Sequence, residues 1–369
     1  MLWKIAATSV DLDSVYSPTL ERIREQKGDR SRLGMEVLMW VSHAERPLRI
    51  DELCHALAVE MGATDLDLEN VRLQDTVLGS CLGLAVVDSE TSTVRLIHYT
   101  LQEYLSSPGV LPDAHRTLAR TCLTYLNYDQ VKGLPADDVS NLGDMPFLEY
   151  SSLYWGCHSK MGHSDLAKSL ALNLLKRYDS HISTTLLLNQ IKSHHSSPVA
   201  RHPFTTLHCA SYFGVAEVLE ALIEMEGCDI NQRDCMGYTP LMWAARRGRE
   251  AAVRLLLIQR EVNPDKLDND GRTPLWPASL NGHGSVVRLL LGRDDVNPDK
   301  PDNYGRTLLW WASASGKKEV VETLLTRRDV NPDTPDIIGR TPLLIASING
   351  HREIVALLQL RMTEVPGMD

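Results

Sequence analysis

Apolar residues recur at helical spacing along much of the chain, and in the C-terminal half this pattern repeats with a fixed period. Five ten-residue segments, such as TPLMWAARRG and TLLWWASASG, start 34 residues apart, and their first residues are Thr205, Thr239, Thr273, Thr307 and Thr341. Each segment is followed by a second stretch with apolar residues at i, i+3 and i+4, for example EAAVRLLLIQ. The period predicts five units, each built from two short helices.

The residue types of the repeated segment suit a short helix. Thr caps a helix N-terminus, and the Pro that follows it in three units fits the first helical position. A small Ala in the middle lets neighbouring helices approach closely, and the closing Gly supplies the left-handed residue that ends the helix. Turn-rich stretches such as VNPDKLDNDGR join the units and predict a projecting finger.

The order helix, turn, helix, finger with a T-P-L-x-x-A opening resembles the ankyrin repeat over residues 203–361. The resemblance implies a mainly α fold, an ankyrin-repeat solenoid whose units start near 205, 239, 273, 307 and 341. Such solenoids present an extended concave surface that binds a protein partner, and they have no built-in chemistry. The family's T-P-L-H histidine is matched only by His208, so we expect apolar packing to replace its hydrogen bond in the other units, with Trp276 and Trp310 in the core between repeats.

A candidate partner-binding site follows from the same resemblance. One residue after the position of the family's histidine, an ankyrin helix presents its concave face. Trp243, Trp311 and Ile345 occupy that place, and Arg246 and Arg247 lie beside Trp243. Large exposed aromatic residues are common anchors of interfaces. The alternative is that the two Trp side chains pack within a shielded groove. The acidic residues of the fingers form either a solvated edge or a complementary docking surface; they are Asp265, Asp268, Asp270, Asp299, Asp302, Asp333 and Asp336.

The N-terminal half has a different pattern. Helical spacing predicts a helix over 29–43, then an extended segment at 47–50, a helix over 52–60 capped by Asp51, and a helix over 68–81. LGLAVVD and TVRLIHY read as the strands of a hairpin before TLQEYL returns to helix. This is the order of a winged-helix domain. The expected organisation is a helical lead-in (1–28), a winged-helix domain (29–108), a helical linker domain (109–200) and the repeats (201–369).

The strings WVSHAERPLRIDELCHALAVE and CLGLAVVDSETSTVRLIHYTLQEYL resemble the winged helix of NACHT-type switch ATPases, especially the fungal proteins that carry C-terminal ankyrin repeats. In that family a histidine in the strand-to-helix context matched by His98 contacts the phosphates of bound ADP. The chain contains no GxxxxGK[ST] loop, so the resemblance implies at most a vestigial nucleotide sensor. The alternative for His98 is a buried, hydrogen-bonded structural residue.

Charge and composition narrow the functional classes. The net charge is −10, with −7 in residues 1–200 and −3 in the rest, which opposes binding to nucleic acid or to an anionic membrane. The predicted recognition helix and wing carry acidic residues, which disfavours DNA further. No apolar run approaches the length of a membrane span. Seven scattered cysteines without a CxxC pair favour a reducing compartment, so we expect the cytoplasm, with the nucleus as the alternative.

No constellation of catalytic residues emerges, and the pattern predicts no enzyme, no cofactor, no metal site and no small-molecule substrate. Cys157, His158 and His163, or His194, His195 and His202, lack the paired spacing of metal ligands, and we expect them to be surface residues in loops. The favoured hypothesis is a non-catalytic scaffold or adaptor. The second is the regulatory half of a nucleotide-switch receptor whose ATPase core is separate or missing.

Overall fold

A computed structural model describes residues 12–136, 139, 142–192, 204–225 and 227–364. The chain divides into two compact units, Met1–Ser196 and Ser197–Asp369. His194, His195 and His202 lie outside the described residues. Among the residues that are described, no helix has both the length and the apolar content needed to cross a membrane.

The first unit is mainly helical and contains one small sheet. Its described helices and strands are α1 (Leu12–Arg24), α2 (Arg30–His43), α3 (Ile50–Leu57), α4 (Gln74–Gly79), β1 (Ala85–Val87), β2 (Val94–Leu96), α5 (Tyr99–Leu105), α6 (Ala114–Leu126), α7 (Asp129–Lys132), α8 (Phe147–Met161), α9 (Asp165–Leu175) and α10 (Ile182–Lys192). The strands pair antiparallel, with Ala85 opposite Leu96. Arg49 adds an isolated antiparallel bridge to Thr93, where the Val94 amide donates to the Leu48 carbonyl (2.8 Å) and the Ile50 amide to the Ser92 carbonyl (3.0 Å).

Helices α2, α3 and α4 with this sheet confirm the predicted winged-helix domain, with corrections to two helices. Helix α3 starts at Ile50, and the Glu52 carboxylate accepts the Arg49 N–H at 2.8 Å, so the cap lies before Asp51. The helix expected over 68–81 is broken. A 3-10 turn at Leu68–Asn70 is followed by extended residues, and the α-helix is only Gln74–Gly79.

Aromatic side chains fill the core where α2, α6 and α8 meet. Trp40, Tyr125, Phe147 and Tyr150 are at most 2% exposed. The Phe147 ring lies edge-on to Trp40 and to Tyr125, with centroid distances of 5.4 and 5.2 Å. Burial of such large rings contributes strongly to the hydrophobic stabilisation of this unit.

A chain of polar groups lies beside these rings and corrects the expectation for His158. This residue is on α8 and fully buried, not in a surface loop. Its Nε2 atom lies 2.9 Å from the Tyr150 hydroxyl, and its Nδ1 atom lies 2.9 Å from Nδ1 of His115. The His115 ring lies 5.4 Å from that of His43. Three histidines from α2, α6 and α8 are therefore neighbours, with His158 buried and His43 and His115 half-buried.

The second unit is a row of helix pairs. Its described helices are α11 (Thr206–Phe213), α12 (Ala216–Ile223), α13 (Pro240–Arg246), α14 (Glu250–Leu257), α15 (Leu275–Leu280), α16 (Gly284–Leu291), α17 (Leu308–Ala314), α18 (Lys318–Leu325), α19 (Pro342–Ile348) and α20 (Arg352–Glu364). The first helix of each pair is called the inner helix below, and the second the outer helix.

The capping threonines, prolines and closing glycines that were predicted from the sequence lie at the ends of the helices of this unit. The Oγ1 atoms of Thr239 and Thr307 accept the amides of Met242 and Trp310 at 3.2 and 3.3 Å. In the third pair the helix begins later, at Leu275, with Pro274 at its cap. The closing glycines have the left-handed φ that the sequence indicated, for example +63° at Gly248.

Side chains with the same 34-residue period join consecutive pairs. His283 Nε2 contacts the Arg246 carbonyl oxygen at 3.1 Å, and His351 Nε2 contacts that of Ala314 at 3.2 Å. The guanidinium of Arg327 donates to a carbonyl of the preceding outer helix and forms an ion pair with Asp329 at 2.6 Å. Each pair is thus held to its neighbour by hydrogen bonds as well as by apolar packing.

Candidate protein-interaction surface

A buried carboxylate holds the turn of each described finger. Asp234, Asp268, Asp302 and Asp336 are 4–7% exposed. Each accepts the backbone N–H groups two and four positions later in the chain, at distances of 2.8–3.1 Å. Three of these residues were among the acids considered for a docking surface. Their burial and their bonds assign them to the finger structure instead.

Two further finger acids are also structural. Asp265 and Asp299 accept the backbone N–H of Asn297 and of Asn331 in the next finger, at 2.9 and 2.6 Å. Burial raises the pKa of both carboxyls, although this hydrogen bond from the backbone opposes the shift. The negative charge of the fingers is therefore largely used in binding backbone amides.

Trp243 belongs to the shielded groove, which was the alternative to an exposed anchor. Its side chain is 1% exposed, and Nε1 donates to Asp234 Oδ2 at 2.8 Å. The finger approaches the inner helix closely enough for the indole to satisfy the second oxygen of a buried carboxylate. Ile345, at the same place in the last pair, is 7% exposed and is likewise a core residue.

Trp311 makes the same hydrogen bond but is only half-buried. Its Nε1 atom donates to Asp302 Oδ2 at 3.0 Å, and its ring lies edge-on to Trp276 at a centroid distance of 5.6 Å. The guanidinium of Arg306 lies over the indole at 4.3 Å. Trp276, Leu280, Trp311 and Lys317 line a shallow cleft of only about 10 Å³. One of the two candidate aromatic anchors is thus accessible to a partner.

The hydrogen bond that His208 makes has an equivalent in a second unit. His208 Nε2 lies 3.0 Å from the Tyr238 carbonyl oxygen. Trp310 Nε1 donates to the Arg340 carbonyl at 2.9 Å, across the same separation of 30 residues. The expected replacement by apolar packing is therefore wrong for Trp310, which is buried as predicted. Trp276 is only half-buried, so it is less deeply placed than expected.

Basic residues gather on the second pair and the finger before it. Arg246 lies over the rings of Trp243 and Tyr238 at 5.4 and 5.7 Å, and Arg247 is exposed, 4.7 Å from the centroid of Tyr212. Arg233, also exposed, donates to the Gly237 carbonyl at 3.2 Å. Together, Arg233, Arg246 and Arg247 are called the basic corner. Stacking on aromatic rings holds a guanidinium in place without neutralising its charge.

Apolar side chains dominate the later pairs. Leu280, Tyr304, Ile338 and Ile348 are 37%, 50%, 67% and 63% exposed, and they are called the apolar stripe. The stripe combines inner-helix positions with finger tips, and consecutive fingers are joined by backbone bonds such as Ile337 N to Tyr304 O at 3.0 Å. The four residues come from the third to the fifth pair and the fingers between them, so exposed apolar side chains recur along this part of the row.

The suspected nucleotide sensor of the N-terminal unit, His98, lies between Ile97 and Tyr99, which are 50% and 69% exposed. His98 is exposed, which corrects the expectation of a buried residue. Its Nδ1 atom accepts the Thr100 N–H at 3.2 Å, so the side chain caps α5. The ring of Tyr99 packs beside it at 4.5 Å. The capping bond accounts for a histidine between strand and helix without any nucleotide.

Comparison with known proteins agrees with this architecture. Residues 153–268, 256–336 and 295–365 match a family model described as ankyrin repeats (3 copies), which together covers more than half of the chain. The chain belongs to the ankyrin-repeat family. The first ankyrin-repeat match starts within α8, upstream of the predicted start at 201. Residues 20–114 match the winged-helix domain model of GPI inositol-deacylase. No curated protein matches the chain.

Proposed function

We propose that this ankyrin-repeat chain is a non-catalytic scaffold or adaptor whose inner helices and finger tips bind a protein partner. The observation that carries the proposal is the apolar stripe, whose Leu280 lines the same cleft as the half-buried Trp311. Ankyrin repeats imply binding of a protein partner, and their surface selects that partner by local shape and chemistry. Five repeats, the domain boundaries given above, and a cytoplasmic or nuclear location are parts of the same proposal.

Site-specific photocrosslinking in native cell extract tests this function. The full chain carries the crosslinking amino acid in place of Asn281 or Ser315, which are exposed on the inner-helix side, or of Ile258, which is 72% exposed at the end of α14. We expect a protein adduct of one size from the first two positions and none from the third. Equal labelling at Ile258, or no adduct at the inner positions, would show that partners do not use this surface.

The second candidate is the regulatory half of a NACHT-type nucleotide switch, and the exposure of His98 favours it. A buried ring is unable to reach a nucleotide held by another chain, whereas an exposed ring beside the α5 N-terminus has access to one. The test is ADP binding by a family ATPase core with and without this chain. His98→Gln, which keeps a side chain of similar reach, is expected to abolish any increase. An unchanged ADP affinity on mixing the two proteins argues against the switch.

A further inference from the structure

Charge is segregated between the two faces of the repeat unit. The ten-residue segments that form the inner helices contain no Asp or Glu, and Arg246 and Arg247 are their two charged residues. The outer helices carry the acids, including Glu217 and Glu220 on α12 and Glu319 and Glu322 on α18. These two arginines give the inner helix of the second pair a local positive field, although the chain has a net charge of −10.

The finger carboxylates do not cancel this field. Those that hold the finger turns are buried and bonded to backbone amides, and Arg306 and Arg340 form ion pairs with two of them at 3.0 and 2.7 Å. At the finger tips, Asp270 is paired with Arg272 at 2.6 Å. In contrast, no carboxylate of the described residues forms an ion pair with Arg247, which is exposed. Within the basic corner, Arg247 therefore faces solvent with its charge available.

We propose that the inner face binds a protein segment that is acidic at one end and apolar at the other. This inference rests on the proposed function and adds the chemistry of the partner. Carboxylates of the segment pair with the basic corner, and its apolar side chains pack on the apolar stripe and on Trp311. Paired charges of this kind fix the direction of the segment, because reversing it places the carboxylates on an apolar surface.

The spacing of the two patches sets the length of the segment. The basic corner belongs to the second helix pair and Ile348 to the fifth, so three repeat steps separate them. At about 8–10 Å between packed helices, the steps span about 25–30 Å. An extended chain advances about 3.3 Å per residue, so about eight or nine residues bridge the distance. A helical segment rises about 1.5 Å per residue and needs about twice as many.

The experiment is selection of random 16-residue peptides on phage against the immobilised full chain. We expect the selected peptides to share two or more acidic residues about eight positions from a group of Leu, Ile or Phe. The affinity of a selected peptide is then measured by fluorescence anisotropy at low and high salt. It is expected to fall as salt rises, because exposed charges are screened.

Variants of the full chain locate the two ends of the peptide. The double change Arg246→Ala and Arg247→Ala is expected to weaken binding at least about tenfold, equivalent to about 1.4 kcal/mol. The matched control removes two exposed outer-helix arginines, Arg254→Ala and Arg288→Ala, and keeps the affinity within about twofold of the unmodified chain. Because Arg246 stacks on core rings, Arg247→Ala alone provides a variant that leaves the core packing intact, with a weakening of about threefold.

The apolar end has its own pair of variants. Ile338→Ser with Ile348→Ser is expected to reduce affinity about tenfold or more, while Ile258→Ser, at an equally exposed outer position, leaves it unchanged. Selected peptides that depend on the apolar stripe but lack acids, or ignore Arg247, overturn this inference and keep the proposed function. Failure to select any peptide that depends on either patch overturns both.

Discussion

The histidine chain of the first unit makes its stability depend on pH. The Glu45 amide donates to the Tyr150 hydroxyl at 3.0 Å, so the hydroxyl proton is directed to Nε2 of His158. The Nδ1 atom of His158 then carries a proton and donates to Nδ1 of His115. This arrangement requires both imidazoles to be neutral. Protonation of His158 places two donors on an interior ring whose Tyr150 partner already donates to it.

Burial, together with a smaller contribution from His115 and His43, lowers the pKa of His158 to about 3. Because the folded-state pKa lies below the unfolded value, the unfolded chain takes up the proton first as pH falls. The stabilising contribution is complete above pH 6.5 and is lost progressively as pH falls towards 3. The shift from 6.5 to about 3 corresponds to about 5 kcal/mol in total at about 1.36 kcal/mol per unit. Between pH 7 and pH 5 the loss is about 2 kcal/mol.

His158→Gln removes the titrating ring and keeps an acceptor for Tyr150. We expect the variant to be less stable at pH 7, because the bond to His115 is lost, but to lose about 2 kcal/mol less than the unmodified chain between pH 7 and pH 5. The assay is urea unfolding of the full chain, read by hydrogen exchange of peptides from α8. His98→Gln, which removes an exposed histidine of the same unit, serves as the control. Parallel pH profiles for His158→Gln and the unmodified chain would refute the reasoning.

Three further tests of the packing described above use urea unfolding of the full chain. Trp243→Phe leaves a buried carboxylate oxygen without its donor and should lower the free energy of unfolding by about 1.5–3 kcal/mol. Trp311→Phe, at a half-buried site where Arg306 still donates to the carboxylate, should lower it by about 1 kcal/mol. Equal losses would contradict the difference in burial. In two earlier fingers, the side chains of Asn269 and Asn303 donate to a backbone carbonyl of the preceding finger. Ile337→Asn places the same side chain in the next finger and should raise the free energy of unfolding by about 0.5–1 kcal/mol. Gly34→Ala brings a Cβ to 2.5 Å from a backbone oxygen and should cost about 1–3 kcal/mol, while Gly79→Ala, with open space around it, should cost nothing.

The repeat fold was predictable because its signals are local and periodic. Caps, the small Ala and the closing Gly act within one unit, and a 34-residue period makes each unit evidence for the others. In the first unit the same kind of signal was weaker. Apolar spacing over 68–81 predicted one helix, but Asp67 caps a separate 3-10 turn and the chain is extended at Val71 before α4 begins. Hydrophobic spacing alone does not distinguish one long helix from a 3-10 turn followed by a short helix. The side-chain cap at Asp67 favours the second arrangement.

The burial of Trp243 goes with a hydrogen bond to Asp234 whose geometry the sequence does not specify. Its bond to Asp234 spans nine residues, and Trp311 repeats this spacing with Asp302. Both pairs were present in the sequence, so the shared interval was the available signal. The interval does not say whether the indole lies under the finger or beside it. That depends on neighbouring rings, which cover Trp243 with Phe204 and Tyr238 but leave part of Trp311 open.

The charge of the inner helices shows why net charge was an incomplete guide to the partner. The value of −10 excludes a basic protein, yet the sum does not show where the charges lie: carboxylates hold the finger turns or lie on the outer helices, and the inner-helix segments contain none. Once each position is assigned to a face, the same sequence contains an inner surface whose exposed charges are arginines at one end and whose other end is apolar. Association with an acidic segment should therefore slow as salt concentration rises, although the chain as a whole is acidic.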